Sequence, residues 1–135
     1  MRSSQDTYTL ANGVNMPCIG LGTYQSPDAV ASAAGKDAMA AGYRLIDTAA
    51  AYGNERGVGQ GIRISGVPRE EIFVTSKLRN AAHGYQATLE AFDMTTEAIT
   101  GKLMWILGQT KDHDKVREMF YETINHDILW NTGRR

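Results

Sequence analysis

Three residues of this sequence, Asp47, Tyr52 and Lys77, have types that combine into one piece of acid–base chemistry. A phenol is a poor acid at neutral pH, but an adjacent ammonium stabilises its phenolate and makes the proton easier to release, and a carboxylate can hold that ammonium in place. Tyrosine, lysine and aspartate brought together therefore form a proton-donating unit. Taken singly, each has a plainer use: Asp47 as a cap or turn residue, Tyr52 as packing, Lys77 as a surface charge. Which use applies depends on whether the fold gathers the three.

The surrounding elements predict that it does. Short extended segments from Tyr8 to Met16 flank Asn12-Gly13, a dipeptide suited to a two-residue hairpin turn. Cys18 to Thr23, apolar and interrupted by Gly20 and Gly22, reads as a short buried strand ending in a loop. Pro27-Asp28 opens an alanine-rich helix that runs to Ala41 before Gly42, with Gly35 weakening it by about 1 kcal/mol. Tyr43 to Asp47 reads as a second strand, Glu55 to Ser65 as a second helix, and Ile72 to Ser76 as a third strand rich in β-branched and aromatic side chains. Strand and helix alternate, which implies parallel strands joined by right-handed crossovers. Asp47 then ends one strand, Lys77 follows the next, and Tyr52 lies in the loop after Asp47. All three meet at the carboxyl edge of a parallel sheet, where such folds place their sites.

From Tyr85 the pattern changes. Leu89, Phe92, Thr96, Ile99, Leu103 and Ile106 recur at spacings of three and four, predicting one long helix over 85–107 stopped by Gly108. Asp112 or Asp114 can cap a last helix carrying Val116, Phe120, Ile124 and Ile128. The expectation is a single domain over 1–135, with an α/β unit followed by a helical hairpin over 93–135 that offers a surface for self-association.

Other chemistries find little support. Gly20-Leu21-Gly22 follows a strand, but Gln25 stands where a third Rossmann glycine belongs, and Gly57, Gly59 and Gly61 fall inside a helix where they permit close packing. His83, His113 and His126 lack companions at ligand spacing, so no metal site is expected. Fourteen Lys plus Arg against fifteen Asp plus Glu give a formal charge of −1, which offers no footprint for nucleic acid or anionic lipid. No apolar run approaches the roughly 20 residues of a membrane helix. The lone Cys18 cannot pair within the chain, and Met1 to Asp6 has no apolar signal core; both fit a cytoplasmic protein.

Several stretches carry a resemblance. Leu10-Ala11-Asn12-Gly13, Ile19 to Tyr24, Gly42 to Glu55 and Val67 to Leu78 are similar, in consistent order from about Tyr8 to Phe92, to the amino-terminal part of the aldo-keto reductases. The resemblance implies a (β/α)₈ barrel closed at its bottom by an N-terminal hairpin, here as a truncated barrel-like unit of the hairpin plus three βα units. It implies NADPH binding without a Rossmann domain and a small carbonyl compound as substrate. In that family's pattern Tyr52 protonates the carbonyl oxygen while the nicotinamide delivers hydride to the carbonyl carbon; Lys77 tunes the phenol and Asp47 pairs with Lys77. Gly22, Thr23 and Tyr24 match the loop beside the nicotinamide and substrate.

The sequence departs from that pattern at three points. Arg79 stands where the family has tryptophan, which replaces an apolar substrate wall with a cation and favours an anionic substrate. No apolar strand ends in the family's fourth catalytic residue, a histidine; Leu103 to Leu107 runs into Gly108-Gln109 instead. A complete barrel needs about 250 residues. Two readings follow: a truncated, weakly active or inactive NADPH-dependent reductase of aldehydes or ketones, or a non-catalytic half-barrel scaffold that associates with itself or a partner.

Overall fold

The computed structural model describes residues 3, 5–10, 13–99 and 104–106. It opens with the hairpin, β1 (Thr7–Thr9) paired antiparallel with β2 (Asn15–Pro17). The turn is longer than the expected two residues. Leu10 N–H donates to Val14 O at 2.8 Å and Gly13 N–H donates back to Leu10 O at 2.9 Å, so three residues separate the paired positions. Gly13, at φ +83°, supplies the left-handed step that a three-residue hairpin loop requires.

Four parallel strands follow in the order β3 (Leu21–Gly22), β4 (Leu45–Asp47), β5 (Phe73–Lys77) and β6 (Met104–Ile106). Helices α1 (Asp28–Ala40), α2 (Glu55–Ser65) and α3 (Tyr85–Ile99) form the crossovers between them. The fourth strand corrects the long helix expected over 85–107. The helix ends at Ile99, two residues before Gly101, and Met104–Ile106 pairs with the edge of β5, Thr75 opposite Met104 and Lys77 opposite Ile106. A short apolar run can continue a helical stripe or make a buried strand; here the unpaired carbonyls and N–H groups of β5 decide. The expected helix carrying Val116 to Ile128 lies outside the described residues, as does most of 93–135 beyond Ile99.

Side chains alternate across the sheet. Ile46 and Val74, opposite one another on β4 and β5, are 0% and 1% exposed and pack with Ala31 and Met39 of α1, Val58 and Ile62 of α2, and Ile99 of α3. Their neighbours Asp47, Thr75 and Lys77 therefore share the opposite face. Helix α2 lies against both other helices because of its glycines. A Cβ on Gly57 or Gly61 would meet Asp28 O or Ser32 O of α1 at 2.2 and 2.6 Å, and one on Gly59 would meet Ala98 O of α3 at 2.1 Å. The close-packing use expected of these glycines is the observed one.

On α3 the fully buried positions are Thr88, Thr95 and Ile99, a stripe turned slightly from the one centred on Leu89. Thr95 is buried because its hydroxyl donates to Glu55 Oε2 of α2 at 3.1 Å. Among the described residues no helix is long and apolar enough to cross a membrane.

Candidate active site

The carboxyl ends of β4 and β5 bring Asp47 and Lys77 together as the sequence predicts. Asp47 lies opposite Thr75, and Lys77 is two residues further along β5 on the same face. An ammonium has three N–H donors, and here each has an acceptor: Asp47 Oδ1 at 2.8 Å, Asp47 Oδ2 at 2.9 Å and the carbonyl oxygen of Thr48 at 2.9 Å. The Thr75 hydroxyl also donates to Asp47 Oδ1. The Lys77 and Asp47 side chains remain 31% and 45% exposed, so their ion pair contributes at most about 1 kcal/mol to stability. Its consequence is placement: an ammonium held by three acceptors stays at one point while its face toward solvent stays reachable.

Tyr52 arrives from the loop after β4. Ala50–Tyr52 forms a single 3₁₀ turn, closed by the Tyr52 N–H donating to Ala49 O at 2.9 Å and left through Gly53 at φ +69°. This sharp reversal returns the ring to the strand ends, where Lys77 Nζ lies 5.5 Å from its centroid. Tyr24 also stands against it, ring centroids 5.1 Å apart and planes tilted by 59°, a favourable aromatic arrangement. The phenol thus has a cation and a second aromatic residue, Tyr24, itself 67% exposed, as neighbours.

The loop residues Gly22, Thr23 and Tyr24 border this corner. Gly22 is exposed, and nothing lies within 4 Å of the position a Cβ would take there. Together with the exposed Tyr24 and half-exposed Asp47 it leaves an open shelf beside Tyr52 on which a flat heteroaromatic ring could rest. These residues fit the nicotinamide end of a cofactor. Thr23 is 2% exposed, and its hydroxyl donates to Thr48 Oγ1 at 2.9 Å, so its side chain braces the shelf from behind.

Arg79 sits elsewhere than its expected neighbours. Its Nε donates to Ala50 O at 2.8 Å, and its side chain lines a cleft of about 550 Å³ between α2 and α3, with Arg56, Gln60, Arg63, Met94 and Glu97. It touches the back of the turn whose other end carries Tyr52. Among the described residues no three His, Cys, Asp or Glu side chains are placed to hold a metal ion.

Three participants escape a reading by residue type. Thr48 acts through its carbonyl, which no side-chain pattern marks. Asn54 is 1% exposed, and its amide donates to both Thr23 O and Ser26 O at 2.7 Å. Glu55 accepts from Ser76 Oγ at 2.6 Å, tying α2 to the residue before Lys77. The one available signal is position, since both residues directly follow the Tyr52 turn.

Residues 18–106 match the model of the Aldo/keto reductase family. The match extends past Phe92, where the resemblance of the quoted stretches ends, and runs through β6. The chain is 51% identical over 100 residues to a 9,11-endoperoxide prostaglandin H2 reductase of Trypanosoma cruzi, covering 73% of this chain and 35% of that protein. It is 50% identical over 98 residues to a glyoxal reductase of Bacillus subtilis, covering 72% and 36%. Among solved structures, an aldo/keto reductase from Brucella melitensis superposes with a TM-score of 0.83 at 36% identity, covering 93% of this chain and 50% of that one. A Bombyx mori aldo-keto reductase in complex with NADP superposes at 0.77 with 29% identity, covering 91% and 48%. The chain spans about a third of the length of the curated relatives it matches.

Proposed function

The chain belongs to the aldo/keto reductase family, and on that premise we propose that it is an oxidoreductase that reduces aldehydes or ketones to alcohols with NADPH. The observation that carries the proposal is the fixed ammonium: Lys77, held by Asp47 and Thr48, lies over the Tyr52 ring at the carboxyl edge of a parallel sheet. When bound, the reduced nicotinamide supplies a hydride to the carbonyl carbon. Tyr52 donates its hydroxyl proton to the carbonyl oxygen. Lys77 stabilises the negative charge left on the phenol, and Asp47 and Thr48 keep that ammonium from drifting into solvent. Gly22 and Tyr24 bound the space for the ring and the substrate, with Asp47 at its edge. Arg79, tied to Ala50 O and lining the cleft between α2 and α3, stands outside this site.

Gly22, Thr23, Tyr24 and Asp47 offer no cation for a cofactor phosphate. We therefore propose weak cofactor binding and slow reduction by this chain alone, in a cytoplasmic setting. The alternative, a scaffold that keeps the motif without the reaction, is favoured by the lack of a phosphate-binding cation among Gly22, Thr23, Tyr24 and Asp47. Titration of the purified chain with NADPH, following nicotinamide fluorescence, separates the two. Saturable binding at high micromolar cofactor supports the reductase; no binding at that concentration leaves the scaffold.

A further inference from the structure

The turn that carries Tyr24 has a backbone its residue types do not favour. Gln25 lies at φ +59°, a left-handed conformation that glycine adopts freely and glutamine does not. The turn closes weakly on itself, Ser26 N–H donating to Thr23 O at 3.2 Å. What clamps it is a side chain from another loop: Asn54 Nδ2 donates to Thr23 O and to Ser26 O, each at 2.7 Å, on both sides of the strained residue. The amide oxygen of Asn54 accepts from Thr48 Oγ1 at 3.2 Å, which in turn accepts from Thr23 Oγ1 at 2.9 Å.

Asn54 occupies the residue before α2, where an asparagine ordinarily caps the helix with its own side chain. It makes no such bond. The Gly57 N–H, one of the helix's free donors, is met instead by Asp28 Oδ1 from the start of α1, at 3.0 Å. Capping by Asp28 releases the Asn54 amide to reach the Tyr24 turn.

We infer that Asn54 is a positioning residue for the substrate side of the site: its buried amide fixes the Thr23–Ser26 turn so that the Tyr24 ring stands against Tyr52. The link spans the two loops that carry the two rings; its bonds among Thr23, Thr48 and Asn54 are buried and the one to Ser26 is partly so. The kinetic consequence rests on the reductase reading; the ring contact rests on the geometry alone.

The test follows the aromatic protons of Tyr24 and Tyr52 by NMR in the whole purified chain without cofactor, beside steady-state kinetics with a reactive aldehyde. In Asn54→Ala the cross-ring contact should be lost, and KM for the aldehyde should rise about tenfold while kcat changes less than about threefold. Loss of a buried amide also lowers stability, so a second variant separates the effects. Adding Gln25→Gly removes the left-handed strain and should return the melting temperature toward that of the parent, with the ring contact still absent and KM still raised. In a Tyr24→Ala background, Asn54→Ala should leave KM where Tyr24→Ala put it. An intact ring contact in Asn54→Ala, or recovery of contact and KM together with melting temperature, would overturn the inference. If the parent chain reduces nothing, the reductase reading fails while the ring contact still decides the role of Asn54.

Discussion

Strands β4 and β5 present two faces that differ by a one-residue step and have opposite physics. Toward the helices, Ile46 and Val74 are sealed in an apolar layer. Toward the other side, Asp47 and Lys77 meet as partly exposed charges whose acceptors are all assigned. The first face supplies stability through area removed from water and excluded cavities; the second supplies little stability and fixes atoms in space. Residues one position apart should therefore fail in different ways. Stability should be lost from one face and chemistry from the other.

The largest expected effect comes from carrying the character of one face onto the other. Val74→Asp would place a carboxylate in the helix-facing layer with no partner, and destabilisation of several kcal/mol should leave the chain unfolded by circular dichroism. Ile46→Ala should cost about 3 kcal/mol through lost transfer energy and the cavity left behind, visible as a shifted denaturant midpoint. Gly59→Val tests the same layer from behind, because its side chain would run into Ala98 O and drive α2 from α3. A fold that tolerated all three would contradict this division of the strands.

The legibility of these features in the sequence follows the same division. Periodicity and stop residues report a helix's own chemistry, so α2 has the extent expected, Glu55 to Ser65. Asp47 and Lys77 were legible because each ends a strand whose direction could be inferred, and parallel ends coincide. The strand β6 was not, because Leu103 and Ile106 continue the helical spacing from Ile99 while the apolar run they belong to also suits a short strand, and the deciding partner is the edge of β5. The turn at Gly13 was one residue longer than its dipeptide suggested, since the pairing of Leu10 with Val14 sets the loop length. Asn54 was missed for a related reason: its type and place point to a helix cap, while its bonds go to residues 28 and 31 positions away.

Smaller effects belong to the charged face. Lys77→Met should change stability by less than about 1 kcal/mol, since the pair it removes is solvent-screened, yet abolish any carbonyl reduction by removing the cation beside the phenol. Thr75→Val removes a donor to Asp47 Oδ1 while keeping side-chain shape, and should cost about 1 kcal/mol with activity reduced and still measurable. Equal losses of melting temperature from Lys77→Met and Ile46→Ala would erase the distinction between the two faces.

The proposed reduction draws its proton from the Tyr52 hydroxyl. NADPH-dependent reduction of a reactive aldehyde by the parent chain and by Tyr52→Phe, measured at equal cofactor under matched conditions, isolates that step, because phenylalanine keeps the ring against Tyr24 and Lys77 and removes only the hydroxyl that carries the proton. The slow reduction by the parent chain should fall by about 10² to 10⁴-fold in Tyr52→Phe with the melting temperature nearly unchanged. Full activity in Tyr52→Phe would contradict the roles given to Asp47, Tyr52 and Lys77.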